Sequence, residues 1–140
     1  ATAEQYGLSR VSDLIPCAGE LRFAAEHEFF DEGSKHFDSF VSFYGLTFKE
    51  SSTIDRGLKY AGMDSENMDA TIVYSTDGLN KKFGLVTLKD DKSFFPEYNG
   101  AYLLRADLYE DYPELEEVFA SLAGVFTDEV CTELNYQIDV

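Results

Sequence analysis

Strand-like and helix-like segments alternate along most of this chain. The strand-like segments are short, apolar and rich in β-branched or aromatic residues, and turn-forming residues separate them from the helix-like ones. These segments are Leu21–Ala25, Leu46–Thr53, Asp69–Tyr74, Gly84–Leu88 and Ala101–Arg105. Alternation of this kind is typical of an α/β domain, so the sequence predicts that fold class, with Asp69–Tyr74 as a central strand.

The helix-like segments have apolar residues at the helical period. In the clearest case Phe37, Phe40, Val41 and Tyr44 form one stripe, and Gly45 follows where a helix can end in the left-handed conformation. We expect further helices capped by Ser12 or Asp13, through Ile54 to Ala61, from Pro113 onward, and after a Thr127 cap.

The composition limits both the size of the fold and its partners. One hundred and forty residues, 44% of them hydrophobic, suffice for one compact domain or for two small lobes that share a hinge. The formal net charge of −16 repels phosphates, so we expect no binding to nucleic acid or to anionic lipid surfaces. An acidic surface either serves solubility alone or also concentrates cations near the protein.

Residue patterns typical of catalysis and of metal binding are missing from the sequence. His27 and His36 accompany no nucleophile motif, and the ten glycines form no phosphate-binding spacing. The acidic residues show no calcium-loop spacing, and Cys17 and Cys131 are too far apart in sequence for a CxxC metal motif. We therefore expect no enzyme, cofactor or metal. The two cysteines are expected to be free thiols, with a single disulfide as the alternative.

Several ordered segments of the chain resemble one family of transport proteins. The most informative pairs a strand and an acidic turn with an aromatic loop fixed by Pro96. The segments are Ser12–Leu14, Leu21–Ala24, Glu28–Phe29, Tyr44–Gly45, Tyr74–Gly78, Leu85–Arg105, Tyr112–Glu116 and Leu134–Val140. In this order they resemble the C-terminal half of the solute-binding proteins that serve ABC importers for quaternary amines such as glycine betaine, choline and carnitine.

This resemblance implies a fold like that of type II periplasmic-binding proteins. It implies one lobe plus the C-terminal part of the other, with residues 1–76 as the second lobe. Residues 77–140 would then contain the hinge return and the C-terminal part of the first lobe. Family members are roughly twice this length, so the chain corresponds to an excised half.

The resemblance also implies where the protein works and with what. Family members act outside the cytoplasm, held at the membrane by an anchor or a permease fusion. Residues 1–6 lack the basic and apolar stretches of an export signal, so we expect signal and anchor to lie outside this chain. The implied partners are a quaternary amine and ABC permease subunits, with a homodimer through the exposed lobe interface as a further possibility. The alternative is an acidic interaction module that binds no ligand of its own.

The resemblance points to an aromatic ligand cage. A trimethylammonium group has no hydrogen-bond donors, and proteins hold it between aromatic faces whose quadrupole attracts the charge. In the resembled family four aromatic residues form this cage, and two of them match Tyr74 and Tyr98. Thr76 is a further candidate for a polar ligand contact. Asp77 and Asp91 are expected to form turns.

Glu32 is the position expected to choose the ligand. Betaine-binding members of the family commonly have Glu-Phe-x-x-Arg at this point, and the arginine contacts the ligand carboxylate. Here Glu32 replaces that arginine. A carboxylate facing Glu32 would be repelled, so the sequence predicts a preference for choline or another cation without a carboxylate. The alternatives are that Lys35 supplies the positive charge, or that Glu32 faces water.

Overall fold

A computed structural model of the chain describes residues 2–139. Ala1 and Val140, which end two of the segments discussed above, lie outside the described residues. The α-helices are α1 (Thr2–Tyr6), α2 (Phe37–Tyr44), α3 (Lys59–Asp64), α4 (Gly78–Lys82), α5 (Leu108–Asp111), α6 (Leu115–Ser121) and α7 (Asp128–Asp139). The strands are β1 (Arg22–Ala25) and β2 (Glu50–Thr53), and 3-10 helices span Val11–Leu14, Ala18–Glu20 and His27–Phe30.

The centre of the fold is a short parallel sheet. Strands β1 and β2 pair in the register Arg22 to Glu50 and Ala25 to Thr53, with α2 in the connection between them. On the other edge of β1, the amide of Ala24 donates to the carbonyl of Ala70 over 3.1 Å. Strand β1 is therefore flanked on both sides, which explains why three of its four residues are buried.

Helix α2 follows the sequence prediction closely. It spans Phe37–Tyr44, and its Phe40 and Tyr44 side chains are buried. Gly45 ends it with φ at 74°, and the Gly45 amide donates to the carbonyl of Val41 over 2.8 Å. A residue with a Cβ would be strained in that left-handed conformation, so the apolar stripe and the glycine together set the helix and its end.

Three of the predicted strands do not form continuous strands in the structure, so these predictions are wrong. Asp69–Tyr74 pairs with β1 only around Ala70, Gly84–Leu88 forms no strand, and Ala101–Arg105 is irregular and mostly exposed. A single bridge joins Lys89, one residue beyond the second segment, to Arg10. Strand propensity becomes a strand only where a second backbone offers a hydrogen-bonding edge, and along these residues the described chain offers one only beside β1, at Asp69 and Ala70.

The buried core lies in the first two thirds of the chain. Ten side chains from Leu8 to Phe94 form one hydrophobic cluster, contributed by the segments 8–21, 40–46 and position 94. Among the described residues beyond Phe94 none is buried. The closing helices α6 and α7 expose most of their apolar residues, and Ile138 is 82% exposed. Within residues 2–139 no helix is both long enough and apolar enough to cross a membrane.

The two cysteines are free thiols, as expected. Cys17 is buried in the core cluster, whereas Cys131 is partly exposed on α7. Burial is the largest cause that raises the pKa of the Cys17 thiol above its usual range. Cys17 therefore packs as a small apolar side chain.

Candidate functional site

Tyr74 and Tyr98 come together in the structure although 24 positions separate them. Their ring centroids are 6.2 Å apart and the rings are perpendicular, in an edge-to-face arrangement. Both side chains are largely exposed, at 66% and 72%. They line one open groove of about 1290 Å³ together with Thr76. Two exposed aromatic faces beside an open groove are a suitable surface for an organic cation.

Charge near the two rings also favours a cation. The carboxylates of Glu97 and Asp128 line the same groove. The Ser75 hydroxyl donates to Asp128 over 3.2 Å, which places that carboxylate beside the segment that carries Tyr74 and Thr76. Four basic residues also line the groove: Arg22, Lys35, Arg56 and Lys59. Three of them form ion pairs with Asp69 or Glu26, and the Lys35 ammonium group donates to the backbone carbonyl of Phe94. The groove thus has one acidic residue next to Tyr98 in sequence and one that is hydrogen-bonded to the residue after Tyr74.

A row of phenylalanine rings leads from the sheet to the loop that carries Tyr98. Ring centroids are 4.9 Å apart between Phe23 and Phe48, 5.3 Å between Phe23 and Phe37, and 5.6 Å between Phe40 and Phe94. Phe95 stacks on Phe40 at 5.8 Å. Because these rings pack on β1 and α2, the backbone enters the Tyr98 loop from a fixed position.

Asp90 holds the same loop from its other side. It accepts hydrogen bonds from the Tyr44 hydroxyl, from the Phe94 amide over 3.0 Å and from the Phe95 amide over 2.8 Å. Burial pushes the pKa of Asp90 upward, but these three bonds outweigh burial and hold it below its usual range. Burial and the bond to Asp90 raise the pKa of Tyr44 to about 12. Asp90 is thus an anchor for the loop.

Asp91 and Asp77 also hold turns, as the sequence predicts. Asp91 accepts from the Ser12 amide over 3.1 Å and so ties the loop to the first 3-10 helix. Asp77 accepts from the Tyr60 hydroxyl over 2.5 Å, and its amide donates to the Tyr74 carbonyl over 3.1 Å.

The structure separates Glu32 from the other predicted site residues. Its side chain is exposed and does not line the groove that contains Tyr74, Thr76 and Tyr98.

Sequence reasoning missed the groups that hold the Tyr74 segment in place. Tyr60 and Asn80 are both buried beneath it, and Asn80 donates to the Tyr74 carbonyl over 2.8 Å. The Asn135 amide group of α7 donates to the Thr76 carbonyl over 2.8 Å. Residues 60, 80 and 135 share no local motif, so only the folded chain reveals that they meet at one turn.

Comparisons with a family model and with known proteins point to the same family. Residues 1–140 match the family model described as the substrate binding domain of the ABC-type glycine betaine transport system. The chain is 33% identical over 138 residues to an ergothioneine transport permease/ergothioneine binding protein of Helicobacter pylori, covering 99% of this chain and 25% of that protein. It is 32% identical over 138 residues to a carnitine transport binding protein of Listeria monocytogenes, covering 99% of this chain and 45% of that protein.

A solved structure agrees with this assignment. The crystal structure of a glycine betaine/carnitine/choline ABC transporter superposes with a TM-score of 0.88 at 32% identity, over 99% of this chain and 50% of that one. The fold is therefore that of a type II substrate-binding protein, as the sequence predicts. The chain spans half or less of the length of these relatives.

Substrate-binding proteins of ABC importers are transport proteins rather than enzymes, and they work outside the cytoplasm. The expected resemblance is confirmed over the whole sequence, and the chain belongs to the family of substrate-binding domains of ABC-type glycine betaine transport systems.

Proposed function

We propose that these residues form the C-terminal half of a two-lobed protein, the full-length parent, which captures a quaternary amine for an ABC permease. Glycine betaine, choline and carnitine are the ligands of this class. The observation that carries the proposal is the exposed, edge-to-face pair of Tyr74 and Tyr98 in an open groove whose lining has more acidic than basic residues. The names of the relatives, which refer to carnitine and ergothioneine, support it.

In this proposal the two tyrosines supply half of an aromatic cage. Each well-placed ring contributes about 0.5–2 kcal/mol toward a bound cation, so two rings alone give weak binding. The other half of the parent would contribute further rings, and closure of the lobes would bury the cation. A permease can recognise the closed form because ligand shifts the population toward it.

The proposed lobe division falls at residue 76. Residues 1–76 would belong to the second lobe, and residues 77–140 to the hinge return and the C-terminal part of the first. Support comes from the close packing of α4 on α7, with an ion pair of 2.6 Å between Lys81 and Glu133. The chain also makes contacts across this division, since Phe94 packs in the core of the earlier residues and Phe83 stacks on Tyr60.

The parent would be held at the outer surface of the membrane. Such a protein needs to stay close to its permease, and an anchor or a permease fusion would do this from outside these 140 residues. Fractionation of the cells that express the parent, followed by protease treatment of intact cells, tests this placement.

Calorimetric titration of the parent tests the proposed function. We expect saturable heat with choline, glycine betaine, carnitine or ergothioneine, and none with ammonium chloride, because ammonium lacks the methyl groups that pack on the rings. Absence of heat with all four ligands at millimolar concentration would reject the proposal.

Glu32 is proposed to favour cations without a carboxylate. Its side chain is exposed, so water and salt reduce its effect, and we expect the parent to bind choline roughly threefold more tightly than glycine betaine. The Glu32→Arg variant should lose or invert this preference. Titration of the parent and of the Glu32→Arg variant with choline and with glycine betaine measures this preference. If the unmodified parent binds glycine betaine more tightly than choline, Glu32 has no such role.

A second candidate function is self-association of the 140-residue chain through its exposed apolar surface. Leu103 is 99% exposed, and Tyr102, Val118, Phe126 and Ile138 are more than half exposed. Apolar side chains left open on this scale favour a homodimer. Light scattering at high concentration should give a mass near twice 15.8 kDa, and a single monomeric species would exclude this dimer.

A further inference from the structure

The backbone carbonyl of Tyr74 is the end point of a buried polar network. It accepts one hydrogen bond from the Asn80 side-chain amide over 2.8 Å and one from the Asp77 backbone amide over 3.1 Å. Asn80 is only 6% exposed. A buried amide that points at one carbonyl fixes the local backbone strongly, because either group left unpaired would be costly.

Tyr60 is the third side chain of this network and contacts both Asp77 and Asn80. Its hydroxyl donates to Asp77 over 2.5 Å and lies 3.2 Å from the Asn80 side-chain oxygen. Its ring stacks on Phe83 at 5.8 Å and is almost fully buried. Burial and the bond to Asp77 raise the pKa of Tyr60, so the hydroxyl keeps its proton at physiological pH.

The Tyr74 side chain, by contrast, has little packing of its own. It is 66% exposed, and within residues 2–139 its ring has one aromatic contact, the edge-to-face contact with Tyr98. An exposed ring with so few neighbours takes its position from its backbone. The backbone position is set by the turn that Asn80 and Asp77 hold.

We infer that Asn80 is a positioning residue for the ligand site, which holds the Tyr74 backbone so that the two tyrosine rings meet at the groove. The inference rests on the proposed function and adds a determinant of affinity that does not touch ligand. Asparagine suits the position because its side-chain NH2 group donates to the Tyr74 carbonyl, while its oxygen lies 3.2 Å from the Tyr60 hydroxyl, whose proton goes to Asp77. The Tyr60 hydroxyl bonds to Asp77 and lies beside Asn80, so it holds these two side chains in place.

Two variants and one control test the inference. Asn80→Leu removes the amide at similar volume, and Tyr60→Phe removes only the hydroxyl and keeps the ring that stacks on Phe83. Lys81→Ala is the control, because it removes the ion pair to Glu133 and the contact over the Tyr136 ring from the same helix, and neither group is a hydrogen-bond partner of Tyr74, Asp77 or Asn80. The readouts are tetramethylammonium affinity of the full-length parent and the nuclear Overhauser effect between the two tyrosine rings without ligand.

We expect Asn80→Leu to weaken tetramethylammonium binding about tenfold and to weaken the ring-to-ring signal. Tyr60→Phe should act in the same direction by about threefold, and it decides the question if Asn80→Leu does not fold. Lys81→Ala should leave both readouts unchanged. Unchanged readouts in the first two variants, or equal losses in the control, would overturn the inference.

The proposed function and this inference can fail separately. If the unmodified parent binds neither tetramethylammonium nor any of the four ligands named above, the proposed function fails, while the ring-to-ring signal still reports whether Asn80 positions Tyr74. If the parent binds the cation and Asn80→Leu binds it equally well, the proposed function stands and Asn80 has no positioning role.

Discussion

Replacement of both Tyr74 and Tyr98 by leucine is expected to weaken choline binding by the full-length parent about a hundredfold. Leucine keeps apolar surface but lacks the aromatic quadrupole that attracts the cation. A loss of about 1.4 kcal/mol per ring lies within the range for a cation held against an aromatic face, and two rings give the hundredfold change. Calorimetric titration of the unmodified and doubly substituted proteins measures it.

Two controls separate charge attraction from simple packing. The Tyr74→Phe and Tyr98→Phe variants keep the aromatic faces and should bind choline within a few-fold of the unmodified parent. The neutral isostere 3,3-dimethylbutanol should lose far less affinity than choline on substitution by leucine. Equal losses for the charged and neutral ligands would show that the rings contribute packing alone.

The Gly78→Ala substitution is expected to release α7 from the rest of the fold. A Cβ at position 78 would lie 2.6 Å from the carbonyl carbon of Asn135 and 2.7 Å from the Cα of Tyr136, and would also meet the Tyr136 backbone nitrogen. These are backbone atoms of a helix, which cannot rotate away. We expect opening of α7 to become easier by about 2 kcal/mol.

Hydrogen exchange of the α7 amides measures this change directly. A cost of that size corresponds to exchange about thirtyfold faster in the Gly78→Ala variant. Gly100→Ala is the matched control, since a Cβ there would meet no atom within 4 Å and the backbone needs no positive φ. Unchanged α7 exchange in the Gly78→Ala protein would contradict the close packing of the two helices.

Local signals predicted the parts of the fold that depend on nearby residues. The stripe from Phe37 to Tyr44 and the glycine after it contain all the information that α2 needs. Likewise the Thr127 side chain accepts from the Val130 amide over 3.3 Å at the start of α7, as a capping residue does. In both cases the interacting groups lie within one or two helical turns.

Strands could not be predicted as well, because each depends on a partner far away in sequence. Asp69–Tyr74 has the composition of a central strand, yet only Asp69 and Ala70 form backbone hydrogen bonds with β1. Ala101–Arg105 has no strand partner among the described residues, and it lies mostly exposed. β propensity reports how well side chains fit a sheet and says nothing of whether an edge is available.

The candidate site was predictable only in part. Resemblance to a family pointed to Tyr74 and Tyr98, and the structure brings their rings to 6.2 Å. The residues that hold the Tyr74 backbone could not be predicted from the sequence, because Tyr60 and Asn80 are 20 positions apart and meet only in the folded chain. Glu32 lies outside the groove because the 3-10 helix before it ends at Phe30 and the chain continues through exposed bends.

Anomalous diffraction from a bound arsenic cation would show directly whether Tyr74 and Tyr98 hold the ligand. Tetramethylarsonium copies the shape and charge of tetramethylammonium, and arsenic gives a signal that locates a single atom in a crystal of the full-length parent. We expect one arsenic peak within about 6 Å of the ring centroids of both Tyr74 and Tyr98. This is the range in which a cation is attracted to an aromatic face. The crystal is soaked at a saturating concentration of the arsenic cation. A peak away from both rings, or no peak at all, would contradict a ligand site at these tyrosines.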